Sequence, residues 1–421
     1  MFRYLTCFLL LTVTAHSAED WPEFRGPTGQ GVSSAKKLPT EWNGESKRNI
    51  VWRRALPGKG WSSPVIHDGK VYLTTAVPTG EEGDLSGDQS LRSLCLDADS
   101  GAILWDKEVF KQAGAKTHEK NSHASPTPII DGKFLYVHFG THGTACLDLT
   151  GKKIWESHKL VYDPVHGNGG SPVLGEKAIV ISCDGADKQF VVALDRKSGD
   201  ILWKTPRPAN SGRGFSFSTP LIIEVGGKSQ VISSGSDHVV SYDLEKGDEL
   251  WRFNYPNGFS VVPRPVFGHG LVYVCSGFGS QKIWAIRPDG TGDVTNTHLE
   301  WEKIRSVPLN PSPLLVGDEL YTVSDDGITT CRDAKTGEKH WQKRLEGHFS
   351  ASPLFAAGKI YFTNEDGETF IVEPGKEDRE ILGRCPLGDR TLASFAVADG
   401  SIFIRTEKGL WRVGEEVPDP G

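Results

Sequence analysis

The sequence predicts an all-β fold, an eight-bladed β-propeller of four-stranded antiparallel blades. Three observations predict it. A turn that begins with Asp, closes with Gly and has Trp four residues after the Gly recurs with a spacing of roughly 40 to 50 residues, the period of a repeat protein. Short β-rich runs separated by Gly-rich turns fill each period. No helical periodicity of useful length interrupts them.

The first strand of each repeat opens with a Ser/Thr-Pro dipeptide or a close variant of it. These dipeptides are Ser63-Pro64, Thr127-Pro128, Ser171-Pro172, Thr219-Pro220, Arg264-Pro265, Ser312-Pro313, Ser352-Pro353 and the degenerate Ser394-Phe395. A turn such as Asp68-Gly69 or Asp131-Gly132 follows, and these residue types favour the positive φ of tight hairpins. The eight dipeptides therefore predict eight blades.

The second strand follows that turn, as in residues 71–73, 178–181 and 360–362. The third strand ends at the Asp of the repeated turn and the Trp lies in the fourth. The five clear copies of this turn are Asp97…Gly101…Trp105, Asp148…Gly151…Trp155, Asp195…Gly199…Trp203, Asp243…Gly247…Trp251 and Asp333…Gly337…Trp341. A lone meander of four strands cannot bury both apolar faces, so the sheets must stack with Trp rings between them.

The eighth blade lacks a fourth strand, because three β-rich runs between residues 393 and 413 exhaust the chain. The missing strand is present at the other end, where Ile50-Val51-Trp52-Arg53 precedes the first repeat and carries a Trp of its own. Pairing of this N-terminal strand in the last blade closes the ring and leaves no open sheet edge there.

The domain organisation predicted is a signal peptide at residues 1–18, a lead-in segment at 19–48 and one propeller at 49–421. The first segment has Arg3, an apolar run from Leu5 to Val13 and small residues up to Ala18, as export signals do. The apolar run is too short to cross a bilayer, so no transmembrane anchor is predicted. We expect an exported protein, periplasmic or extracellular, that is monomeric.

The charge and the cysteines exclude two further classes. The formal net charge is −7 and no Lys/Arg cluster forms a phosphate-binding stripe, so no nucleic-acid partner is expected. Six of the seven Cys lie beyond the signal segment, about one per repeat and mostly within strands. This scatter suits buried thiols rather than a disulfide framework.

The repeated turn, as in Leu194-Asp195-Arg196-Lys197-Ser198-Gly199-Asp200-Ile201-Leu202-Trp203, resembles the pyrroloquinoline-quinone-like (PQQ-like) repeat. The resemblance covers roughly residues 49 to 413. Quinoprotein alcohol dehydrogenases and the propeller lipoprotein of the outer-membrane β-barrel assembly machine are built from this repeat. It implies an eight-bladed propeller in which Trp52, Trp105, Trp155, Trp203, Trp251, Trp301 and Trp341 dock between blades.

The resemblance does not extend to the motifs that bind the cofactor. Quinoprotein dehydrogenases of this fold place a disulfide of adjacent cysteines beneath the quinone, and the sequence has no Cys-Cys pair. Their calcium-binding and catalytic motifs match no stretch of the chain, and no C-x-x-C-H haem site is present. PQQ with Ca²⁺ is therefore compatible with the fold, but its motifs are absent. The sequence predicts no resident cofactor, no metal site and no catalytic residue.

The candidate ligand-binding residues lie on one face of the propeller, in the loops that lead into the first strands. They are Trp61, His123, His166, Asn168, Arg213, Phe217, Arg264, Asn310 and Arg390. Loops on a rigid frame are where ligands and partners usually bind, and this set suits a polar or anionic small ligand or a protein segment. A solvated rim that binds nothing accounts for the same residues.

Two functions from different classes follow from these features. The leading one is an exported, non-catalytic binding or scaffold protein for a protein partner or a small polar ligand. The alternative is a divergent PQQ-dependent quinoprotein dehydrogenase that oxidises alcohols or sugars, with its cofactor near Trp61, Arg264 and Asn310. A third possibility is carbohydrate or peptide recognition by aromatic stacking.

Overall fold

A computed structural model describes residues 19–80, 87–210, 212–378 and 380–415. In these residues the strands form eight sheets, and one 3₁₀ turn occurs at Gly140–His142. The prediction of an all-β, eight-bladed propeller is confirmed. The predicted signal segment, residues 1–18, lies outside the described residues and stays a prediction.

Blades one to four follow one another along the chain and are antiparallel meanders. Blade one consists of β2 (Val65–His67), β3 (Lys70–Pro78), β4 (Gln89–Asp97) and β5 (Ile103–Gln112), and blade two of β6 (Ile129–Ile130), β7 (Phe134–His138), β8 (Thr144–Asp148) and β9 (Lys153–Ser157). Blade three consists of β10 (Val173–Leu174), β11 (Ala178–Asp184), β12 (Gln189–Asp195) and β13 (Ile201–Pro206), and blade four of β14 (Leu221–Val225), β15 (Lys228–Gly235), β16 (His238–Asp243) and β17 (Glu249–Asn254).

Blades five to seven repeat this order, and blade eight combines the two ends of the described chain. Blade five consists of β18 (Val266–Gly268), β19 (Leu271–Cys275), β20 (Lys282–Ile286) and β22 (Leu299–Ile304), and blade six of β23 (Leu314–Val316), β24 (Glu319–Val323), β25 (Ile328–Asp333) and β26 (Lys339–Arg344). Blade seven consists of β27 (Leu354–Ala356), β28 (Lys359–Thr363), β29 (Glu368–Val372) and β30 (Ile381–Pro386), and blade eight of β31 (Ala396–Ala398), β32 (Ser401–Arg405), β33 (Gly409–Val413) and β1 (Ile50–Ala55).

The ring is closed by β1, which pairs antiparallel with β33 and completes the last blade. Trp52 lies opposite Arg412, and Arg54 lies opposite Leu410. The predicted closure is therefore confirmed. The pairing gives blade eight the same four strands as its neighbours and protects the edge that β33 would otherwise expose.

The repeated Trp side chains join consecutive blades, as the resemblance implied. In six of them the indole N–H donates to a backbone carbonyl oxygen of the following blade. These bonds are Trp52 to Ala98 (3.0 Å), Trp105 to Leu149 (3.1 Å), Trp155 to Arg196 (2.9 Å), Trp203 to Leu244 (3.0 Å), Trp301 to Ala334 (2.9 Å) and Trp341 to Gly375 (2.9 Å). Apolar clusters fill the same inter-blade spaces, so the core consists of the contacts between sheets.

Blade four departs from the expected four strands. Residues 288–298 of blade five replace the compact Asp-Gly turn with a longer one, and its short strand β21 (Gly292–Asp293) pairs parallel with β17. The indole of Trp251 therefore lies buried and donates to Gln230 within its own blade. The longer turn makes this sheet five-stranded because it adds backbone to an edge that the other blades leave open.

The lead-in segment crosses one face of the ring. Trp21 forms an antiparallel bridge with Ile66 of blade one, and Val32 forms a parallel bridge with Phe355 of blade seven. Trp21 and Trp42 are buried in the apolar cluster shared with blades one, seven and eight. The segment also reaches blade five, opposite blade one in the ring, where the N–H of Phe267 donates to the side-chain oxygen of Gln30 (2.6 Å), so it covers one end of the central channel.

The six cysteines in the described part of the chain are buried and unpaired. Burial raises the pKa of the Cys95 and Cys146 thiols to about 12, so they behave as small apolar groups. Among the described residues, no helix has the length and apolar character needed to cross a membrane.

Candidate functional site

A ring of hydroxyl groups surrounds the central axis. We call it the hydroxyl ring. Each member directly precedes the Pro of a first strand, and in blade eight it precedes Phe395 instead. The members are Ser63, Thr127, Ser171, Thr219, Ser312, Ser352 and Ser394. The backbone N–H at most of these positions donates to the hydroxyl oxygen in the next blade. The bonds are Ser63 to Thr127, Thr127 to Ser171, Ser171 to Thr219 and Ser352 to Ser394 (each 2.9 Å), Ser312 to Ser352 (3.0 Å) and Ser394 to Ser63 (3.2 Å).

Arg264 occupies the eighth position, in blade five, where the other blades have a hydroxyl. Its N–H also donates to Ser312, but its buried guanidinium turns to the lead-in segment. Nη1 donates to the carbonyl oxygen of Phe24 (2.7 Å), Nη2 to Glu23 (3.1 Å) and Nε to the carbonyl oxygen of Pro220 (3.0 Å). The polar contacts of this side chain therefore hold the lead-in segment against the ring.

A second buried guanidinium lies beside the first. Arg25 is 1% exposed and Nη2 donates to the carbonyl oxygen of Pro313 (2.7 Å). Burial and the nearby charge of Arg264 lower the pKa of Arg25 to about 9. Glu23 is the acid paired with Arg264, and burial raises its pKa against the effect of that guanidinium. Two guanidinium groups, Arg25 of the lead-in segment and Arg264 of blade five, therefore lie beside one carboxylate, Glu23, at this end of the channel.

A cavity of about 300 Å³ opens beside the hydroxyl ring. All seven ring residues line it, together with Phe24 of the lead-in segment. The rest of the lining comes from the loops before the first strands and from two neighbouring loops: Trp61, His118, Lys120, Asn121, Ser125, His166, Gly169, Phe217, Phe259, Ser260, Val262, Phe278, Asn310, Ser350, Leu392 and Ala393. Among the residues that the structure describes, no Asp or Glu is part of this lining.

The structure brings four of the nine candidate residues together. Trp61, His166, Phe217 and Asn310 line the cavity. Asn310 donates its side-chain amide to the carboxylate of Asp325, whose pKa burial raises. The remaining five, His123, Asn168, Arg213, Arg264 and Arg390, lie outside the lining.

Two of these five are buried in blades two and three. Asn168 donates to the carbonyl oxygen of Phe139 (3.1 Å) and accepts from the hydroxyl of Tyr162 (3.2 Å). His123 contacts the amide nitrogen of Gln112 at 2.8 Å. The contacts of Asn168 hold the 3₁₀ turn at Gly140–His142, so this side chain stabilises a loop behind the cavity.

Aromatic rings form one wall of the cavity. The ring centroid of His166 lies 5.2 Å from His118, 5.2 Å from Phe215 and 6.2 Å from Phe217. Arg213, which is exposed, stacks its guanidinium 4.5 Å from the centroid of Phe259. Offset and edge-on rings of this kind present a broad apolar surface to a ligand.

A chain of ion pairs follows the opposite rim. Lys120 pairs with Glu365 (2.7 Å), Arg390 lies 3.9 Å from both Glu365 and Glu407, and Lys59 lies 3.8 Å from Glu407. Lys59 and Arg390 also lie 5.8 Å from the ring centroid of Trp61. Although burial opposes the shift, hydrogen bonds from Lys120 and Ser350 hold the pKa of Glu365 low. The charged groups at this rim are thus paired with one another.

Sequence reasoning missed the main feature of the cavity. The Ser/Thr-Pro dipeptides served only to mark strands, and neither Lys120 nor Phe259 was singled out. A signal was present, since a hydroxyl residue at one fixed position of a repeat faces the same environment in every blade. In the described part of the chain no group of three or more His, Cys, Asp or Glu side chains is arranged to hold a metal ion.

Comparison with known proteins agrees with the architecture. A family model described as outer membrane protein assembly factor BamB matches residues 32–182, 187–301 and 296–402. The quinoprotein ethanol dehydrogenase of Pseudomonas aeruginosa is 26% identical over 170 residues, 36% of this chain and 26% of the dehydrogenase. The BamB of Shewanella oneidensis is 24% identical over 175 residues, 38% of this chain and 40% of that protein. The chain thus spans less than two thirds of the length of either relative.

Among solved structures, the quinohemoprotein alcohol dehydrogenase ADHIIG of Pseudomonas putida HK5 superposes with a TM-score of 0.65 at 11% identity. The superposition covers 96% of this chain and 82% of the dehydrogenase, and at this identity it speaks for the fold alone. The family match, in contrast, extends over most of the sequence. The protein therefore belongs to the family of PQQ-like repeat propellers described as outer membrane protein assembly factor BamB.

Proposed function

We propose that this protein is an exported, monomeric and non-catalytic binding or scaffold propeller, periplasmic or extracellular, whose cavity takes a small polar ligand or a segment of a protein partner. The observation that carries the proposal is the cavity lining, whose described residues combine hydroxyls and aromatic rings without a carboxylate. Such a surface offers hydrogen bonds and stacking for recognition. Membership of the BamB-described family agrees with a binding role.

The lining also bears on the alternative, a divergent quinoprotein dehydrogenase. Alcohol oxidation at a quinone needs a base beside the substrate, and Ca²⁺ prefers carboxylate and carbonyl oxygens. Two acids that contact lining residues, Asp325 and Glu365, are bonded to Asn310 and to Lys120. Arg264, a predicted quinone contact, is bonded to Glu23 and Phe24. The residues present do not fit PQQ with Ca²⁺, and we propose that neither is a resident cofactor.

One observation still favours the alternative as a second candidate. The quinoprotein ethanol dehydrogenase is 26% identical over its matched segment, and a planar ring could stack on Trp61 or Phe217. Because the described lining holds no acid, catalysis by such a protein would need an acid from elsewhere in the chain.

The test is a calorimetric titration of the purified protein with PQQ, with and without Ca²⁺, and an assay of dye reduction with ethanol and glucose. We expect that Ca²⁺ does not strengthen binding of PQQ and that dye reduction does not exceed that of a boiled control. Turnover that depends on added PQQ would overturn the non-catalytic proposal. Loss of that turnover in Trp61→Ala, but not in the rim variant Arg213→Ala, would place the quinone in the cavity.

A further inference from the structure

The floor of the cavity carries hydroxyl protons that have no acceptor. Ser63, Thr127, Ser171, Thr219 and Ser394 each accept one backbone N–H, yet none donates its own O–H to a partner among the described residues. All five are at most 6% exposed. Buried donors without acceptors are destabilising, and in native proteins they usually face water or a ligand. Because these residues line the cavity, the acceptor they lack is one that enters it.

The charged groups around the cavity determine which charge the missing acceptor should carry. No acid among the described residues lines it, and its one described Lys, Lys120, is paired with Glu365 at 2.7 Å. Phe24, a lining residue, carries the carbonyl oxygen that accepts from Arg264, so the buried guanidinium lies directly behind the wall. Arg25 and Arg264 together outnumber Glu23, their acidic neighbour. The site therefore offers donors and positive charge to an anion.

The remaining wall defines the rest of the ligand. Trp61, Phe217, Phe259 and Phe278 present apolar rings to the cavity. Phe278 is 37% exposed, so this wall is open to the outside. A cavity of about 300 Å³ is at the lower end of the range for small-molecule sites, which suits a ligand of one ring and a short polar arm.

We propose that the cavity binds a carboxylate that carries an apolar, aromatic body. The carboxylate oxygens accept from the hydroxyl ring on the arc from Ser63 to Thr219, and the body packs against Trp61 and Phe217. The inference rests on the binding role proposed above and names the ligand class for it. Two sources supply this chemistry, a free aromatic acid and the C-terminal carboxylate of a polypeptide that ends in an aromatic residue.

The experiment is a calorimetric titration of the full-length protein with matched probes. The free-acid arm compares 3-phenylpropionate with 3-phenylpropanol and 3-phenylpropanamide. The peptide arm compares N-acetyl-Gly-Gly-Ala-Phe with its C-terminal amide. Because hydrogen bonds to a charged acceptor are stronger than neutral ones, we expect at least one acid to bind roughly tenfold or more tightly than its neutral partners. The arm that shows this preference identifies the source.

A pair of variants tests the hydroxyl ring itself. Thr127→Val removes a donor at nearly constant shape, and Thr127→Ser retains it. We expect the valine variant to weaken binding of the acid roughly tenfold and the serine variant to bind like the natural protein. Valine also removes the acceptor for the N–H of Ser63, so the melting temperature of each variant must first show that it is folded.

The comparison between probes needs no variant and keeps the proposal falsifiable. Equal affinity for acid, alcohol and amide would overturn it, and so would the absence of binding by both acids. These outcomes leave the non-catalytic proposal intact, since that proposal fails only if PQQ supports turnover. The two failures are therefore distinguishable.

Discussion

Trp52, in the N-terminal strand that completes blade eight, lies against Gly101 in the turn of blade one. A Cβ atom on Gly101 would lie 2.7 Å from Cδ2 of the indole, and the indole N–H donates to the carbonyl oxygen of Ala98 at 3.0 Å. The backbone of Gly101 has φ +67°, a value that L-residues with side chains rarely adopt. The Gly of the repeated turn is thus required for both its conformation and its closeness to the preceding blade.

Gly337 offers a direct test of this double requirement. Its φ is +69°, and an added Cβ would lie 2.6 Å from Cδ2 of Trp301. We expect Gly337→Ala to lower the free energy of unfolding by about 3 kcal/mol, from backbone strain and overpacking together. Gly358→Ala is the matched control, because Gly358 has φ +72° and nothing within 4 Å of an added Cβ. Urea unfolding of both variants measures the difference.

In the control variant Gly358→Ala the free energy of unfolding should fall only by the cost of backbone strain, about 1 kcal/mol. If Gly337→Ala cost no more than Gly358→Ala, the indole would not restrict the turn. In that case the Gly of the repeat would serve its positive φ alone.

Closure of the ring predicts that Trp52 stabilises the whole propeller. Trp52→Ala removes the contact with blade one and is expected to cost about 3 kcal/mol. Val51→Ala in the same strand is the control, because Val51 is 37% exposed and should change stability by less than about 0.5 kcal/mol. Thermal unfolding monitored by circular dichroism compares the two. Equal melting temperatures would contradict a closing role for the indole.

The lead-in segment should depend on Arg264. Arg264→Met leaves Glu23 without its cationic partner and removes the bond to the carbonyl oxygen of Phe24. We expect a loss of about 3 kcal/mol and faster tryptic cleavage after Arg25. The control variant Arg213→Met changes an exposed stacking position, and trypsin should cleave it after Arg25 at the same rate as the natural protein. Protection of Arg25 in the Arg264 variant would show that other contacts suffice to hold the segment.

Buried histidines predict that stability falls in acid. Burial, with smaller effects of Arg207 and Arg252, lowers the pKa of His238 from 6.5 to about 3. The unfolded chain therefore binds a proton that the folded chain rejects, so this contribution to stability is present above pH 6.5 and is lost as the pH falls towards 3. Between pH 7 and pH 5 the loss is about 2 kcal/mol for this one group.

His238→Phe should remove that loss. The variant is expected to lose about 2 kcal/mol less than the natural protein between pH 7 and pH 5, as measured by urea unfolding at both values. Other buried histidines, such as His138, contribute equally to the pH dependence of both proteins, so their contributions cancel in the comparison. His158→Gln, at an exposed position, is the control and should retain the full dependence. An unchanged dependence in His238→Phe would mean that the ring is not buried in its neutral form.

The candidate site was predictable in part. The repeat period placed the loops before the first strands on one face, and four of the residues read from those loops line the cavity. Asn168 and Arg264 were chosen by the same logic but bond to a 3₁₀ turn and to the lead-in segment. Position in a repeat gives the face on which a residue lies, whereas the direction of a long side chain depends on partners far away in sequence.

The sequence by itself determined the number of blades, the docking of the Trp rings and the closure by β1, because each of these follows from a local pattern repeated at a fixed period. Only the tertiary structure decided that seven hydroxyls form one ring, that residues 19–48 cover the channel, and that β21 extends blade four. These features join residues from blades that are distant in the chain. Their hydrogen bonds and charges meet only when the ring has closed.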